Sequence, residues 1–335
     1  MSTSKDSEYI VGVDVGGTKL NTVLLDSESL QIVKSSMSAV SDKLDSLYPT
    51  ITDSIESITS KVQIRSIGIG LPGMVDDQDT MCFSPHIASL NGHNLAKELK
   101  DYFNCPLKVE NDANCALIAE SVTGVAKGKN NVLMVTLGTG IGGSIITDGN
   151  FLKGHRGFIG EIGHMAVTKN GNPCVCGKSG CWETYAASST LPLYYEFFKN
   201  HERTSNPEIL RLAKLDFEKS IKQELGTTLT GQAVMELYIQ NEETAVRSVE
   251  SMMDWVGFGL SSVNSILAPE LIVLGGGIVK DFRYYEHTLY ESFKKYSQNN
   301  DFLPLIVPAA NGANAGAVGA AIVSLKSTSI SYANG

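Results

Sequence analysis

The sequence has no long apolar run, no excess of positive charge and few cysteines. Its hydrophobic stretches fall well short of the ~18 apolar residues of a membrane span, and its opening residues, MSTSKDSEY, lack the apolar core of a secretion signal. A net charge of −9 with scattered lysines argues against a surface for nucleic acid or anionic membranes. We therefore expect a cytoplasmic protein with no nucleic-acid or membrane partner.

Only six cysteines are present, and three of them lie in one stretch, EIGHMAVTKNGNPCVCGKSGCWE, residues 161–183. A chain without a leader is expected to keep its thiols reduced, so three disulfides are the weaker interpretation. His164, Cys174, Cys176 and Cys181 instead form the pattern H-x9-C-x-C-x4-C, which supplies the four ligands of a tetrahedral zinc site. The alternative is three reduced cysteines beside an unrelated histidine. Because protein ligands fill the site, the predicted zinc is structural.

Two segments of the chain share one layout, a β-run, a glycine turn and a second β-run. They are YIVGVDVGGTKLNTVLLD and VLMVTLGTGIGGSIITDG, and one constant offset pairs Gly16 with Gly138 and Asp26 with Asp148. A βαβ crossover does not follow either glycine pair. We therefore interpret the chain as duplicated, an α/β protein with two lobes that face each other across a cleft.

The length of 335 residues suffices for two domains that share a sizeable core. No linker rich in proline or serine separates the halves. The first lobe is expected to span residues 1–125 and the second residues 126–335, with a zinc knuckle at 164–181. Residues 190–250 have a mostly helical pattern, and a small-residue helix at 313–325 is expected to pack back on the first lobe.

The two glycine turns predict a nucleotide site. Backbone N–H groups in such turns form concavities for phosphate oxygens, and larger side chains would block the approach. Neither turn matches a P-loop or a dinucleotide-binding fingerprint. Asp14 ends the first β-run, where it is placed to hold Mg²⁺ or, alternatively, to cap the turn. The predicted nucleotide-site residues are Asp14, Gly16, Gly17, Thr18, Lys19, Gly138, Thr139, Gly140, Gly275, Gly276 and Gly277.

Seven motifs of the chain occur in the order seen in the ROK family of repressors, open reading frames and sugar kinases. They are DVGGTK, GIGLPG, ENDAN, TLGTGIGG, GEIGH, CVCGKSGCWE and VLGGG. GEIGH together with the cysteine knuckle is the most specific pair. The resemblance implies the actin-like ATPase fold with two RNase H-like lobes, and an ATP-dependent kinase of a hexose or N-acetylhexosamine. It also implies a homodimer and a zinc ion on the same histidine and three cysteines.

The resemblance also assigns roles to individual residues. Asp112 of ENDAN corresponds to the catalytic base, which agrees with the chemistry, because a sugar hydroxyl needs a positioned carboxylate to accept its proton. The zinc knuckle would then brace the sugar site, and a solvated glutamate at a helix start is the alternative for Glu183. The residues that match sugar-contacting positions are Asn111, Glu161, His164 and Glu183, and Gly73 is expected to complete the pocket beside Asp112.

The sugar itself is open among several candidates. Phosphorylation of the 6-hydroxyl of glucose is the favoured reaction, with N-acetylglucosamine and N-acetylmannosamine as alternatives. Glucokinase-like members of the family often carry a tryptophan in the loop after LPG, and the absence of one at residues 84–94 is a departure that counts against glucose. A repressor would need a DNA-binding helix-turn-helix, for which too few residues precede Asp14. A non-catalytic sugar sensor is the alternative from another class. A glycoside hydrolase using Glu161 and Glu183 leaves both glycine turns without a role.

Overall fold

The computed structural model describes residues 8–16, 19–40, 44–60, 62–84, 87–201 and 229–325. The chain forms two compact units. The first contains Met1–Met134, Ser144–Ile159 and Ala309–Gly335, and the second Val135–Gly143 and Gly160–Pro308. The lobe boundary near residue 125 stays a prediction. Within the described part of the chain, no helix is long and apolar enough to cross a membrane.

The first sheet is built around the first glycine hairpin. The strands are β1 (Tyr9–Val15), β2 (Lys19–Asp26), β3 (Ile32–Ala39), β4 (Ile64–Leu71), β5 (Met74–Val75), β6 (Met81–Phe83) and β7 (Leu107–Asn111). Five of them form a mixed sheet in the order β3-β2-β1-β4-β7, and β5 pairs with β6 separately. β1 runs antiparallel to β2 and parallel to β4, which is parallel to β7. β1 and β4 are buried along most of their length, as expected of central strands covered on both faces.

The second sheet repeats the strand order of the first. Its strands are β8 (Val132–Leu137), β9 (Ile141–Thr147), β10 (Asn150–Phe151), β11 (Leu271–Gly275) and β12 (Leu305–Pro308). They lie in the order β10-β9-β8-β11-β12, so a glycine hairpin is again flanked by a third strand on one side and by two later strands on the other. β11 and β12 are parallel. The strand order agrees with the duplication predicted from the two glycine turns.

Nine helices with α-helical hydrogen bonding lie in the described part of the chain. They are α1 (Leu44–Thr59), α2 (Leu95–Phe103), α3 (Asp112–Thr123), α4 (Glu183–Ala186), α5 (Leu191–Asn200), α6 (Gly231–Ile239), α7 (Glu243–Leu267), α8 (Phe282–Tyr296) and α9 (Ala315–Ser324). The mostly helical pattern at 190–250 agrees with α5, α6 and the start of α7, and residues 202–228 of it lie outside the described residues. Helix α1 was not predicted from the sequence, although Leu47, Ile51 and Ile55 bury one face of it.

The small-residue helix α9 packs closely on the first unit. It contacts β1, β4 and α3, and its alanines and valines are buried with Ile10 and Ile118. The approach is close because Gly12 on β1 has no side chain: a Cβ there would lie 1.8 Å from the carbonyl oxygen of Ala317. α9 therefore rests directly on the backbone of the central strand, beside the end of β1 that carries Asp14.

Candidate active site

Asn111 and Gly73 hold two loops of the first unit together. Asn111 ends β7 and caps α3, because its side-chain oxygen accepts the N–H of Asn114 at 3.0 Å. Its Nδ2 atom donates to the carbonyl of Gly73 at 2.9 Å. Gly73 has a φ of +132°, and a Cβ there would lie 2.4 Å from the carbonyl oxygen of Phe83. The GIGLPG and ENDAN motifs therefore meet beside Asp112.

Asp112 is the first residue of α3 and is partly buried. Burial raises the pKa of its carboxyl group to about 6, and hydrogen bonds from backbone N–H groups, including that of Ala113 at 2.9 Å, act in the opposite direction. A carboxyl group with this pKa is mostly ionised at neutral pH and is still a better proton acceptor than an ordinary aspartate. These are the properties of a general base for a hydroxyl group.

Asp14 lies near the end of β1 in the same unit as Asp112. Burial raises its pKa to about 7, and the negative charge of Asp112 contributes to the rise. Its carboxylate packs against the first turn of α9, where a Cβ on Gly316 would lie 2.4 Å from Asp14 Oδ2. Two carboxylates that repel each other in one unit suit a hard divalent cation such as Mg²⁺, which takes oxygen ligands.

The first glycine turn closes the hairpin between β1 and β2. The N–H of Gly16 donates to the carbonyl of Lys19 at 2.8 Å. Gly17 and Thr18 lie outside the described residues. The hairpin is therefore present as predicted, and the phosphate-binding role of its N–H groups stays a prediction.

The second glycine turn lies next to the GGG segment in the second unit. The N–H of Gly138 donates to the carbonyl of Gly140 at 3.0 Å, which closes the turn. Gly276 has a φ of +95°, and a Cβ there would lie 2.2 Å from the carbonyl oxygen of Leu137. The two predicted nucleotide motifs of this unit, Gly138–Gly140 and Gly275–Gly277, are therefore neighbours.

Two serines that the sequence analysis missed fix the second glycine turn. Ser188 donates both its backbone N–H, at 2.9 Å, and its hydroxyl, at 2.6 Å, to the carbonyl of Gly138. The hydroxyl of Ser189 donates to the carbonyl of Thr139 at 2.7 Å. No motif marks these serines, because their role depends on the chain returning to the turn fifty residues later.

The predicted metal ligands form one cluster. The ligand atoms of His164, Cys174, Cys176 and Cys181 all lie within 4.8 Å of one another. His164 Nδ1 is 3.5 Å from Cys174 Sγ, and the Sγ atoms of Cys176 and Cys181 are 3.6 Å apart. Zinc–ligand bonds of about 2.0–2.3 Å in a tetrahedron separate the ligands by about 3.3–3.8 Å. The donor set and its spacing therefore fit a zinc ion.

Glu183 begins α4 and faces this cluster. It is 9% exposed, so the alternative interpretation of a solvated glutamate is wrong. Its Oε1 atom lies 3.0 Å from Cys174 Sγ and 3.5 Å from His164 Nδ1, and Oε2 accepts the N–H of Ile141 at 3.4 Å. The other ring nitrogen of His164, Nε2, lies 3.9 Å from Glu161 Oε2. Nδ1 is therefore the nitrogen on the cysteine side.

The predicted site residues are distributed over both units. The first unit holds the two aspartates and the loops around them: Asp14, Gly16, Lys19, Gly73, Asn111 and Asp112. The second unit holds the metal cluster, the two glutamates and the second set of glycines: Gly138, Thr139, Gly140, Glu161, His164, Cys174, Cys176, Cys181, Glu183, Gly275, Gly276 and Gly277.

The strand order repeated in the two sheets is that of the actin-like ATPase class, and comparison with known proteins identifies the family. Residues 10–327 match the ROK family, and the chain belongs to it. The solved structure of a ROK family glucokinase from Streptomyces griseus, in complex with glucose and AMPPNP, is 29% identical to this chain with a TM-score of 0.81. The match covers 94% of this chain and 98% of the glucokinase chain. The predicted family and the actin-like ATPase fold of its sugar kinases are confirmed.

Curated relatives extend the likeness over nearly the whole chain. A glucokinase of Streptomyces coelicolor is 30% identical over 316 residues, which is 93% of this chain and 96% of the relative. An N-acetyl-D-glucosamine kinase of Photobacterium profundum is 26% identical over 326 residues, 94% of this chain and 99% of the relative. The chain is thus similar to kinases that are named for two different sugar substrates.

Proposed function

We propose that this protein is an ATP-dependent hexose kinase that transfers the γ-phosphate of ATP to the 6-hydroxyl of glucose. The observation that carries the proposal is the likeness to glucokinases over almost the full length, at 30% identity in one relative and with a TM-score of 0.81 to another. The glucose and AMPPNP of that solved relative support a sugar and a nucleotide as the two ligands here.

Asp112 acts as the general base in this proposal. Its pKa of about 6 leaves it ionised near neutral pH, where it accepts the proton of the attacking hydroxyl as the bond to phosphorus forms. Phosphoryl transfer needs little covalent chemistry from the protein beyond this, and the remaining catalytic work is positioning and charge neutralisation.

The nucleotide is assigned to the glycine turns and Asp14. Mg²⁺ would neutralise the charge of the phosphates, and Asp14 would hold it directly or through water. The N–H groups of the turns would bind phosphate oxygens, and the GGG segment would lie under the nucleoside. The assigned residues are Asp14, Gly16, Gly17, Thr18, Lys19, Gly138, Thr139, Gly140, Gly275, Gly276 and Gly277.

The sugar is assigned to polar side chains around Asp112 and the metal cluster. Carboxylates and amides bind vicinal hydroxyls with two hydrogen bonds, which distinguishes a polyol from water. His164 would bind structural zinc through Nδ1, with Cys174, Cys176 and Cys181, and offer Nε2 to the sugar. The assigned residues are Gly73, Asn111, Asp112, Glu161, His164 and Glu183.

The second candidate function is phosphorylation of an N-acetylhexosamine. It is supported by the 26% identity to an N-acetyl-D-glucosamine kinase over 94% of this chain. The two functions differ in whether the pocket accepts a 2-hydroxyl or the larger 2-acetamido group. N-acetylmannosamine is a third acceptor of the same kind.

The test is a coupled assay of ADP release with ATP, Mg²⁺ and a panel of glucose, N-acetylglucosamine and N-acetylmannosamine. Glucose should give the highest kcat/KM, and ³¹P–¹H NMR of the product should place the phosphate on O6. A preference for an acetamido sugar replaces the first candidate with the second. Sugar binding without ADP release in any mixture contradicts both and favours a sensor.

Homodimerisation, implied by the family resemblance, is part of the same proposal. Light scattering should give about twice the 36.0 kDa of one chain. A mass of one chain at assay concentrations contradicts it.

A further inference from the structure

The metal cluster is attached to α7 through two aromatic residues of the adjoining segment. Trp182 is fully buried, and its Nε1–H donates to the carbonyl of Trp255 on α7 at 2.7 Å. The ring of Tyr185 packs on the ring of Trp255 with centroids 4.5 Å apart. The hydroxyl of Tyr185 accepts the N–H of Asn172, inside the knuckle, at 2.8 Å. The knuckle is therefore seated on one face of a long helix.

Gly259 lies on this same face of α7, four residues after Trp255. A Cβ at Gly259 would lie 2.0 Å from Cε2 and 2.3 Å from Nε1 of Trp182. Such distances are far inside van der Waals contact, so no side chain fits at Gly259 while the indole keeps its place. Since the indole is fully buried and hydrogen-bonded to Trp255, it has no open space into which to move.

The chain neighbours of Trp182 are a metal ligand and a sugar-site residue. Cys181 precedes it and Glu183 follows it, and both are buried. Because consecutive Cα atoms stay 3.8 Å apart, a shift of the Trp182 backbone that makes room for the displaced indole also moves its neighbours. The contact between Gly259 and Trp182 therefore affects the positions of both Cys181, in the cluster, and Glu183.

We propose that Gly259 is a positioning residue that acts through Trp182 to place Cys181 in the metal cluster and Glu183 at the sugar. The part that concerns the sugar rests on the proposed function. The part that concerns the cluster stands on the geometry of the second unit alone. The three atoms nearest to a Cβ at Gly259 all belong to the indole of Trp182, so the indole transmits the effect.

The experiment compares Gly259→Ala with Gly257→Ala on the same helix. Gly257 is equally crowded but faces α8, where a Cβ would lie 2.3 Å from Ser292 Oγ and 2.6 Å from the backbone nitrogen of Phe293. Both substitutions overpack α7 and should lower the melting temperature. Only the first pushes on the knuckle, so Gly257→Ala separates loss of stability from loss of positioning.

Gly259→Ala should raise the sugar KM about tenfold or more, with the ATP KM within about twofold of wild type. It should also speed release of zinc to a chelator, and labelling of the knuckle thiols by a thiol reagent in metal-free protein, by about tenfold. Gly257→Ala should leave all four values within about twofold. Equal sugar KM, zinc release and thiol labelling in the two variants overturn the proposal.

A second background tests the indole directly. In Trp182→Leu the side chain ends before Nε1 and Cε2, so alanine at 259 should then change thiol labelling, zinc release and sugar KM by less than about twofold. Equal damage in both backgrounds overturns the proposal. If Gly259→Ala alone is insoluble, a soluble double variant supports the contact and an insoluble one overturns it. A wild type without kinase activity defeats the proposed function, and thiol labelling still decides the positioning role.

Discussion

The negative charge of Asp112 repels the carboxylate of Asp14. Burial and this repulsion together raise the pKa of Asp14 to about 7. The two carboxyl groups belong to β1 and to the start of α3, which are far apart in the chain and lie in one compact unit. Burial raises the pKa of Asp112 to about 6, against the lowering effect of hydrogen bonds from backbone N–H groups. Two carboxyl groups with raised pKa values in one unit are typical of a catalytic centre.

Replacing Asp112 with asparagine should lower kcat by at least about 10²-fold and leave sugar binding nearly unchanged. The amide keeps the size of the side chain and its acceptor oxygen but cannot take the proton. Steady-state kinetics and calorimetric titration with sugar measure the two effects. Turnover within a few-fold of wild type removes Asp112 from the role of base.

The pH dependence of kcat/KM for the sugar should follow ionisation of Asp112. The base works only without its proton, so activity should be constant well above pH 6 and fall about tenfold per unit well below it, with an apparent pKa of about 6. Rates between pH 5 and 9 at saturating MgATP give the profile. An apparent pKa near 4 would show that burial does not perturb this group.

Asp112→Asn should also stabilise the fold at alkaline pH. A pKa raised to about 6 means that the folded state binds the proton more tightly than the unfolded state, so this contribution to stability is full below about pH 4 and is lost as the pH rises through 6. At pH 8 the variant should gain about 1–2 kcal/mol in free energy of unfolding, and at pH 4 nearly nothing.

Urea denaturation at the two pH values measures this difference. The matched control is Asp101→Asn, which makes the same substitution at an exposed position on α2. A variant at position 112 that is less stable than wild type at pH 8 contradicts the expectation.

Zinc should be present at about one ion per chain and should be lost in Cys176→Ser, because three ligands hold the ion much less tightly than four. Elemental analysis of protein purified without chelator measures it, with Cys82→Ser, outside the cluster, as the control. Sugar kinetics should deteriorate with the metal. Wild-type protein free of zinc would mean that the cluster is not a zinc site.

Glu183→Gln should raise the sugar KM by roughly ten- to a hundredfold, in line with loss of a charge-assisted hydrogen bond, and change the ATP KM much less. Paired saturation curves for sugar and ATP provide the measurement. Zinc content is determined in the same samples, because Glu183 Oε1 lies 3.0 Å from Cys174 Sγ. Equal changes for both substrates would indicate a disturbed knuckle, and unchanged sugar kinetics would leave Glu183 a structural residue.

Local patterns in the sequence were sufficient for the glycine hairpins, the order of motifs and the cluster of one histidine and three cysteines. The spacing of His164, Cys174, Cys176 and Cys181 predicted a cluster whose ligand atoms lie within 4.8 Å of one another. Short spacings of this kind constrain geometry directly, because few backbone paths connect the ligands. The helix α1 was not predicted because Pro49 and the many serines and threonines of this segment weaken the local helical signal.

What the sequence by itself determined is therefore the set of chemical groups and the short loops that carry them. Only the tertiary structure decided their environments: the raised pKa of Asp112, the burial of Glu183 against the cluster, the anchoring of Gly138 by Ser188 and the contact of Gly259 with Trp182. The physical reason is that desolvation and steric exclusion depend on which distant segments pack around a residue. That information is spread over the whole chain and is absent from any single motif.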